Sequence, residues 1–121
     1  MLRLIIYTCR IWTLVFGEAE VGATGLELLL PLTLEWAAEM RLSLSKAVAK
    51  MTSDPARILG IDAGHISIGS AADICIFDPD HYWKVTPMAI LSQGKNTPFM
   101  GMELPGRVKY TLVNGHIVYG Q

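Results

Sequence analysis

The side chains able to do chemistry in this 121-residue sequence are few and far apart. The histidines are His65, His81 and His116, spaced 16 and 35 residues apart, with no His-x-His, Cys-x-x-Cys or His-Glu-x-x-His run. Metal ligands usually come in such short spacings, because one strand or helix turn then supplies two of them. His65 and His116 each follow a glycine where a strand is expected to begin, which predicts surface imidazoles. Asp78-Pro79-Asp80 reads as turn chemistry rather than as a paired carboxylate. Ser92 has no histidine or aspartate near it in sequence, so nothing marks it as a nucleophile. Gly60, Gly64 and Gly69 do not link a strand to a helix, as a phosphate cradle requires. Cys9 and Cys75 lie in separate apolar runs and read as buried thiols of a reducing compartment, not as a disulfide framework. Taken residue by residue, nothing here can catalyse alone.

The elements that must position these residues fall into two groups. "GLELLLPLTLEWAAEM" (25–40) is predicted to be a helix: Glu27, Glu35 and Glu39 gather on one side, and Leu26, Leu29, Leu30, Leu34 and Ala37 on the other. Pro31 belongs near its first turn, where a missing N–H matters least. "LSLSKAVAKMTSDPARILG" (42–60) predicts a second helix capped by Ser43 or Ser45 and broken at Ser53-Asp54-Pro55. Pro55 then opens a short third helix that stops at Gly60. The pattern changes to strands after Gly60. "GHISIGSAADICIFDPD" holds two short apolar segments, the second running from Ala72 to Phe77. "HYWKV" is a further strand candidate and "TPMAILS" a helical turn. "GRVKYTLVNGHIVYGQ" predicts a hairpin closed by a type I′ turn at Asn114-Gly115. Between turn and hairpin, "SQGKNTPFMG" (92–101) reads as a rigid loop. There Gly94 permits positive φ, Asn96 bonds its own backbone, Pro98 extends Thr97, and Phe99 is an anchor.

Composition bounds the rest. The sequence is 51% hydrophobic and 17% charged, and its mean hydropathy is +0.36. One domain of this length needs a largely polar surface, so either a partner covers one face or the chain is part of a larger body. The net charge of −1 and the lack of a basic run argue against nucleic acid. "MLRLIIYTCRIWTLVFG" is interrupted by Arg3 and Arg10 and is too short to span a bilayer; a strand or buried edge is expected there. Two or three helices followed by four or five strands suggest the end of a larger α/β architecture with part of a β-sandwich. An independent α+β binding module is the rival.

Several stretches together resemble the C-terminal third of dihydroorotases, members of the cyclic-amidohydrolase group of metal-dependent amidohydrolases. "EVGATGLELLLPLTL" is similar to the loop and helix after that family's last barrel strand. "LSKAVAKMTSDPARILGI" resembles its closing helices, and "GHISIGSAADICIFDPD" the Gly-x-Ile…Gly-x-x-Ala-Asp strand pair of amidohydrolases generally. "SQGKNTPFMGMELPGRVKYTLVNGHIVY" resembles the dihydroorotase tail in particular. The match spans about Phe16 to Gly120. Allantoinase is the nearest competing family, and the Gly-Leu-Glu…Leu-Pro-Leu run favours dihydroorotase.

The resemblance implies an α/β fragment: the last outer helices of a (β/α)8 amidohydrolase barrel plus the C-terminal strands of the accompanying β-sandwich. The divisions are an atypical segment at 1–16, terminal barrel helices at 17–60 and a β-sandwich portion at 61–121. The implied parent reaction is the reversible cyclisation of N-carbamoyl-L-aspartate to dihydroorotate in pyrimidine biosynthesis, with zinc as the family's metal. The family's ligands are a His-x-His pair, a carboxylated lysine, two further histidines and the aspartate of an Asp-His-Ala-Pro-His motif. None of them is matched, and no Asp or His precedes Asp54. The first 16 residues stand where that motif belongs and do not resemble it, as an altered or frame-shifted start would. No cofactor is therefore expected for this chain alone, and no catalytic or metal-binding residue is assigned. What carries over is a substrate contact through backbone at Val21 and Gly22, where N–H groups at a helix entry suit an anionic or carbonyl oxygen. Implied partners are a second copy or a carbamoyltransferase, the latter because some dihydroorotase-like chains without active-site residues act as scaffolds. Neither nucleic acid nor membrane is implied, and the expected location is cytoplasmic.

Overall fold

A computed structural model describes residues 22–120. They divide into two compact units, 22–29 with 84–103 and 30–83 with 104–120. The expectations for the N-terminal apolar run, for Cys9 and for Val21 fall outside the described residues.

Helix α1 (Leu29–Glu39), which from Leu30 onward belongs to the second unit, follows a single 3-10 turn at Leu26–Leu28. The expected helix therefore begins one turn late. Pro31 becomes the third residue of α1, among the N–H groups that have no partner in any helix. Pro31, Leu34 and Ala37 are buried, each three residues from the next on one face. The helix ends in a Schellman motif: Arg41 adopts φ +54°, its N–H donates to Ala38 O, and Leu42 N–H donates to Ala37 O at 2.8 Å. Helices α2 (Leu44–Ala49) and α3 (Ser53–Leu59) follow. Ser43 occupies the N-cap of α2 but makes no side-chain capping bond; its hydroxyl lies 3.2 Å from that of Ser45 instead. Helix α3 starts before Pro55 rather than at it and closes in a second Schellman motif, with Gly60 at φ +68° and Ile61 N–H donating to Ala56 O.

The strands form one antiparallel three-stranded sheet in the order β1 (Ile74–Lys84), β2 (Glu103–Val113), β3 (His116–Gly120). Three sequence expectations are corrected here. Ala72–Phe77 and "HYWKV" are not two strands but one, because the chain runs extended through Asp78-Pro79-Asp80 rather than turning. The segment containing Ile66 and Ile68 is not a strand; both side chains are exposed. Cys75 is exposed rather than buried, although partial desolvation pushes its thiol up against the lowering effect of a hydrogen bond with Thr111.

The hairpin forms as expected. Asn114 and Gly115 both take positive φ (+49° and +79°), and Val113 faces His116 across the turn. A register shift at Thr111/Leu112 places a bulge opposite, so that Tyr110 pairs with Gly120. The Ala72-Asp73 pair ties this turn to the start of β1: Asp73 Oδ1 accepts from Asn114 N–H at 2.8 Å, and Ala72 O accepts from Gly115 N–H at 3.0 Å. Buried Gly106, at φ +90° within β2, brings α1 onto the sheet, since a Cβ there would strike Leu34 Cδ1. Trp83 Nε1 donates to Gly106 O at 3.3 Å, and the Arg107 guanidinium lies 5.1 Å from the Trp83 ring centre.

In the first unit, Leu28, Val85, Ile90 and Thr97 are buried. Val85 N–H donates to Met102 O, and Gly101 N–H donates back to Val85 O, both at 2.8 Å.

Candidate functional site

Among the described residues the three histidines are not brought together at a common site. His65 lies in the loop after α3, not at a strand start. Its Nε2 is 2.8 Å from Asp62 Oδ1 and its Nδ1 is 3.0 Å from Ser67 Oγ. His116 opens β3 and His81 sits within β1, both exposed. Asp78 Oδ1 accepts from Asp80 N–H at 3.2 Å, a local backbone contact inside the strand. Among the described residues no group of three His, Cys, Asp or Glu side chains could hold a metal ion. They therefore do not fit the zinc that the resemblance implies.

What the chain does build is a backbone loop. Gly22 is exposed and takes φ +82°, a conformation glycine adopts without strain. Its carbonyl accepts from Asn96 Nδ2 at 2.7 Å. Two residues on, Thr24 N–H donates to Asn96 O at 2.6 Å. One asparagine thus holds the loop on both sides of Ala23. Gly94 sits beside it because a Cβ there would lie 2.8 Å from Thr24 Oγ1. Glu27 ties the helix entry to the same distant segment, its carboxylate accepting from Leu91 N–H at 2.8 Å and Ser92 N–H at 2.6 Å. Lys95 Nζ donates to Ile90 O at 2.5 Å. Desolvation raises the Glu27 pKa, but the bonds from Ser92 and Leu91 and the charge of Lys95 outweigh it, so the carboxyl titrates below its ordinary value.

Two readings of "SQGKNTPFMG" are corrected by this geometry. Gly94 is not among the glycines at positive φ; it is needed for space. The Asn96 amide reaches 74 residues away to Gly22 rather than to its own backbone. Ser92 supplies its backbone N–H to the Glu27 carboxylate. Sequence reasoning placed Gly22 in the loop but missed Glu27, Gly94 and Asn96 as its supports. Their partners lie 64 to 74 residues apart, beyond any local pattern.

The amidohydrolase family profile matches residues 10–119, and the chain belongs to that family. Within it, the sequence corresponds to part of a cyclic amidohydrolase. It is 41% identical over 104 residues to the dihydroorotase of Geobacter sp. strain M21, covering 86% of this chain and 24% of that protein. It is 42% identical over 105 residues to a dihydroorotase-like protein of Pseudomonas putida, with coverages of 87% and 24%. Among solved structures, the L-hydantoinase (dihydropyrimidinase) of Arthrobacter aurescens superposes with a TM-score of 0.75 at 37% identity, over 87% of this chain and 24% of that one. The chain spans about a quarter of the length of the relatives it matches.

Proposed function

We propose that this chain is the portion of a dihydroorotase that packs outside the catalytic barrel, contributing terminal barrel helices and β-sandwich strands, with the backbone at Val21 and Gly22 facing substrate. The observation that carries the reading is the 41% identity to a dihydroorotase, sustained across 86% of this chain. The parent reaction would be the reversible cyclisation of N-carbamoyl-L-aspartate to dihydroorotate in pyrimidine biosynthesis, in the cytoplasm. The chain's own residues would orient an oxygen of the substrate through backbone groups. The zinc of the parent family is not matched by any group of ligating side chains among the described residues, so the role proposed for this chain is confined to its backbone groups.

Exposed apolar side chains support a missing neighbour. Ile66, Ile68 and Ile58 are more than four-fifths exposed, more than a free-standing unit of this size usually leaves to water.

The test is direct. The purified 121-residue chain should neither hydrolyse dihydroorotate nor retain zinc in stoichiometric amount. Dihydroorotate turnover that is lost on chelation, together with stoichiometric bound zinc, would overturn the reading.

A second reading is a non-catalytic scaffold for a carbamoyltransferase; its motivation is that none of the family's metal ligands is matched in this sequence. Co-purification with a carbamoyltransferase supports it, and a lone monomer in that experiment counts against it. The hydantoinase superposition keeps other cyclic amides as rival substrates, and the sequence resemblance to allantoinase adds allantoin.

A further inference from the structure

We propose that Asn96 is a positioning residue for substrate recognition: it fixes the peptide unit between Gly22 and Ala23 so that the Ala23 N–H faces an incoming carboxylate or carbonyl oxygen. The inference rests on the substrate contact proposed above for this loop.

The geometry starts from the planarity of the peptide unit. In a trans peptide the C=O of one residue and the N–H of the next point in opposite directions. Asn96 Nδ2 holds Gly22 O at 2.7 Å, so the Ala23 N–H of that same unit is turned away from the clamp. The second contact, from Thr24 N–H to Asn96 O at 2.6 Å, stops the following unit from rotating to undo this. Ala23 is exposed, and its N–H makes no hydrogen bond to another described residue. Glycine at position 22 could otherwise sample many conformations, the state in which a binding group is least prepared. Gly94 and Glu27 complete the arrangement. Gly94 leaves the space that Thr24 Oγ1 fills, and Glu27 anchors the far end of the loop on Leu91 and Ser92.

The experiment uses the full 121-residue chain labelled with nitrogen-15 and dihydroorotate as the probe. In the wild type the Ala23 amide resonance should move on titration, and the Thr24 amide should exchange slowly with solvent. Asn96→Ala should weaken dihydroorotate about fivefold, the equivalent of one net hydrogen bond, and deprotect Thr24. Gly94→Ala provides a test that does not remove the asparagine. It should weaken binding, and adding Thr24→Ala should restore it, because Thr24 Oγ1 is the one atom a new Cβ would meet. Binding and the Ala23 shift unaltered in both Asn96→Ala and Gly94→Ala overturn the positioning role. A wild-type Ala23 amide that ignores dihydroorotate, with Thr24 protection still lost in Asn96→Ala, instead overturns the substrate reading and leaves a purely structural clamp.

Discussion

At the residue scale, glycines and carboxylates decide what this chain can tolerate. Gly64, at φ +76°, passes so close to the α2–α3 corner that a Cβ would lie 2.6 Å from Thr52 C and 2.7 Å from Ser53 N. Both obstacles are backbone and cannot rotate aside. Gly64→Ala should therefore destabilise the chain by about 2–4 kcal/mol in urea unfolding, since strain and overpacking combine. Glu27 makes stability depend on pH. Its carboxyl titrates below the ordinary value of 4.5 in the folded chain. A depressed folded value means the stabilising contribution is complete above the unfolded value and is lost as pH falls through the folded one. The urea midpoint should hold from pH 7 to near 5 and decline below about 4.5. Glu27→Gln should be less stable at neutral pH and show a shallower acid decline.

At the element scale, the helix ends and the hairpin turn are the informative places. Both α1 and α3 finish in Schellman motifs, but Gly60 fills the left-handed position of α3 whereas Arg41 fills that of α1. Arg41→Gly should stabilise by about 0.5–1 kcal/mol, and Gly60→Ala should cost about 1 kcal/mol, both read from thermal melts. Asp73→Ala should cost about 1 kcal/mol and raise exchange at the Asn114 amide, because it removes the acceptor that closes the turn. The helices and this hairpin were legible because their signals are local: apolar spacing in α1, Gly60 as a stop, Asn114-Gly115 as a type I′ turn. The long β1 strand was not. Proline and two aspartates argued for a turn at Asp78-Pro79-Asp80, yet pairing with β2 held the backbone extended through them. Pairing between strands is a non-local force that overrides local turn preference.

At the scale of the whole molecule, kinship was readable where function was not. Motif resemblance reached the cyclic amidohydrolases from a handful of short stretches, and the family match from residue 10 to 119 agrees with it. The loop supports stayed hidden, since Glu27 and Asn96 meet their partners only after folding. The exposed isoleucines offer a test at this scale. Ile66→Ser combined with Ile68→Ser should leave the melting transition within about 0.5 kcal/mol, because neither side chain is buried. It should also reduce self-association seen by light scattering.

The contact at Gly106 has an optical corollary. Trp83 donates its indole proton to the carbonyl of the very residue whose missing side chain admits Leu34, and a guanidinium lies against the same ring. Emission from that tryptophan is thus wired to the seating of the first long helix upon the strands. In a stopped-flow refolding trace of a variant in which Trp12 and Trp36 are replaced by phenylalanine, the surviving chromophore would clock that one docking event and little else.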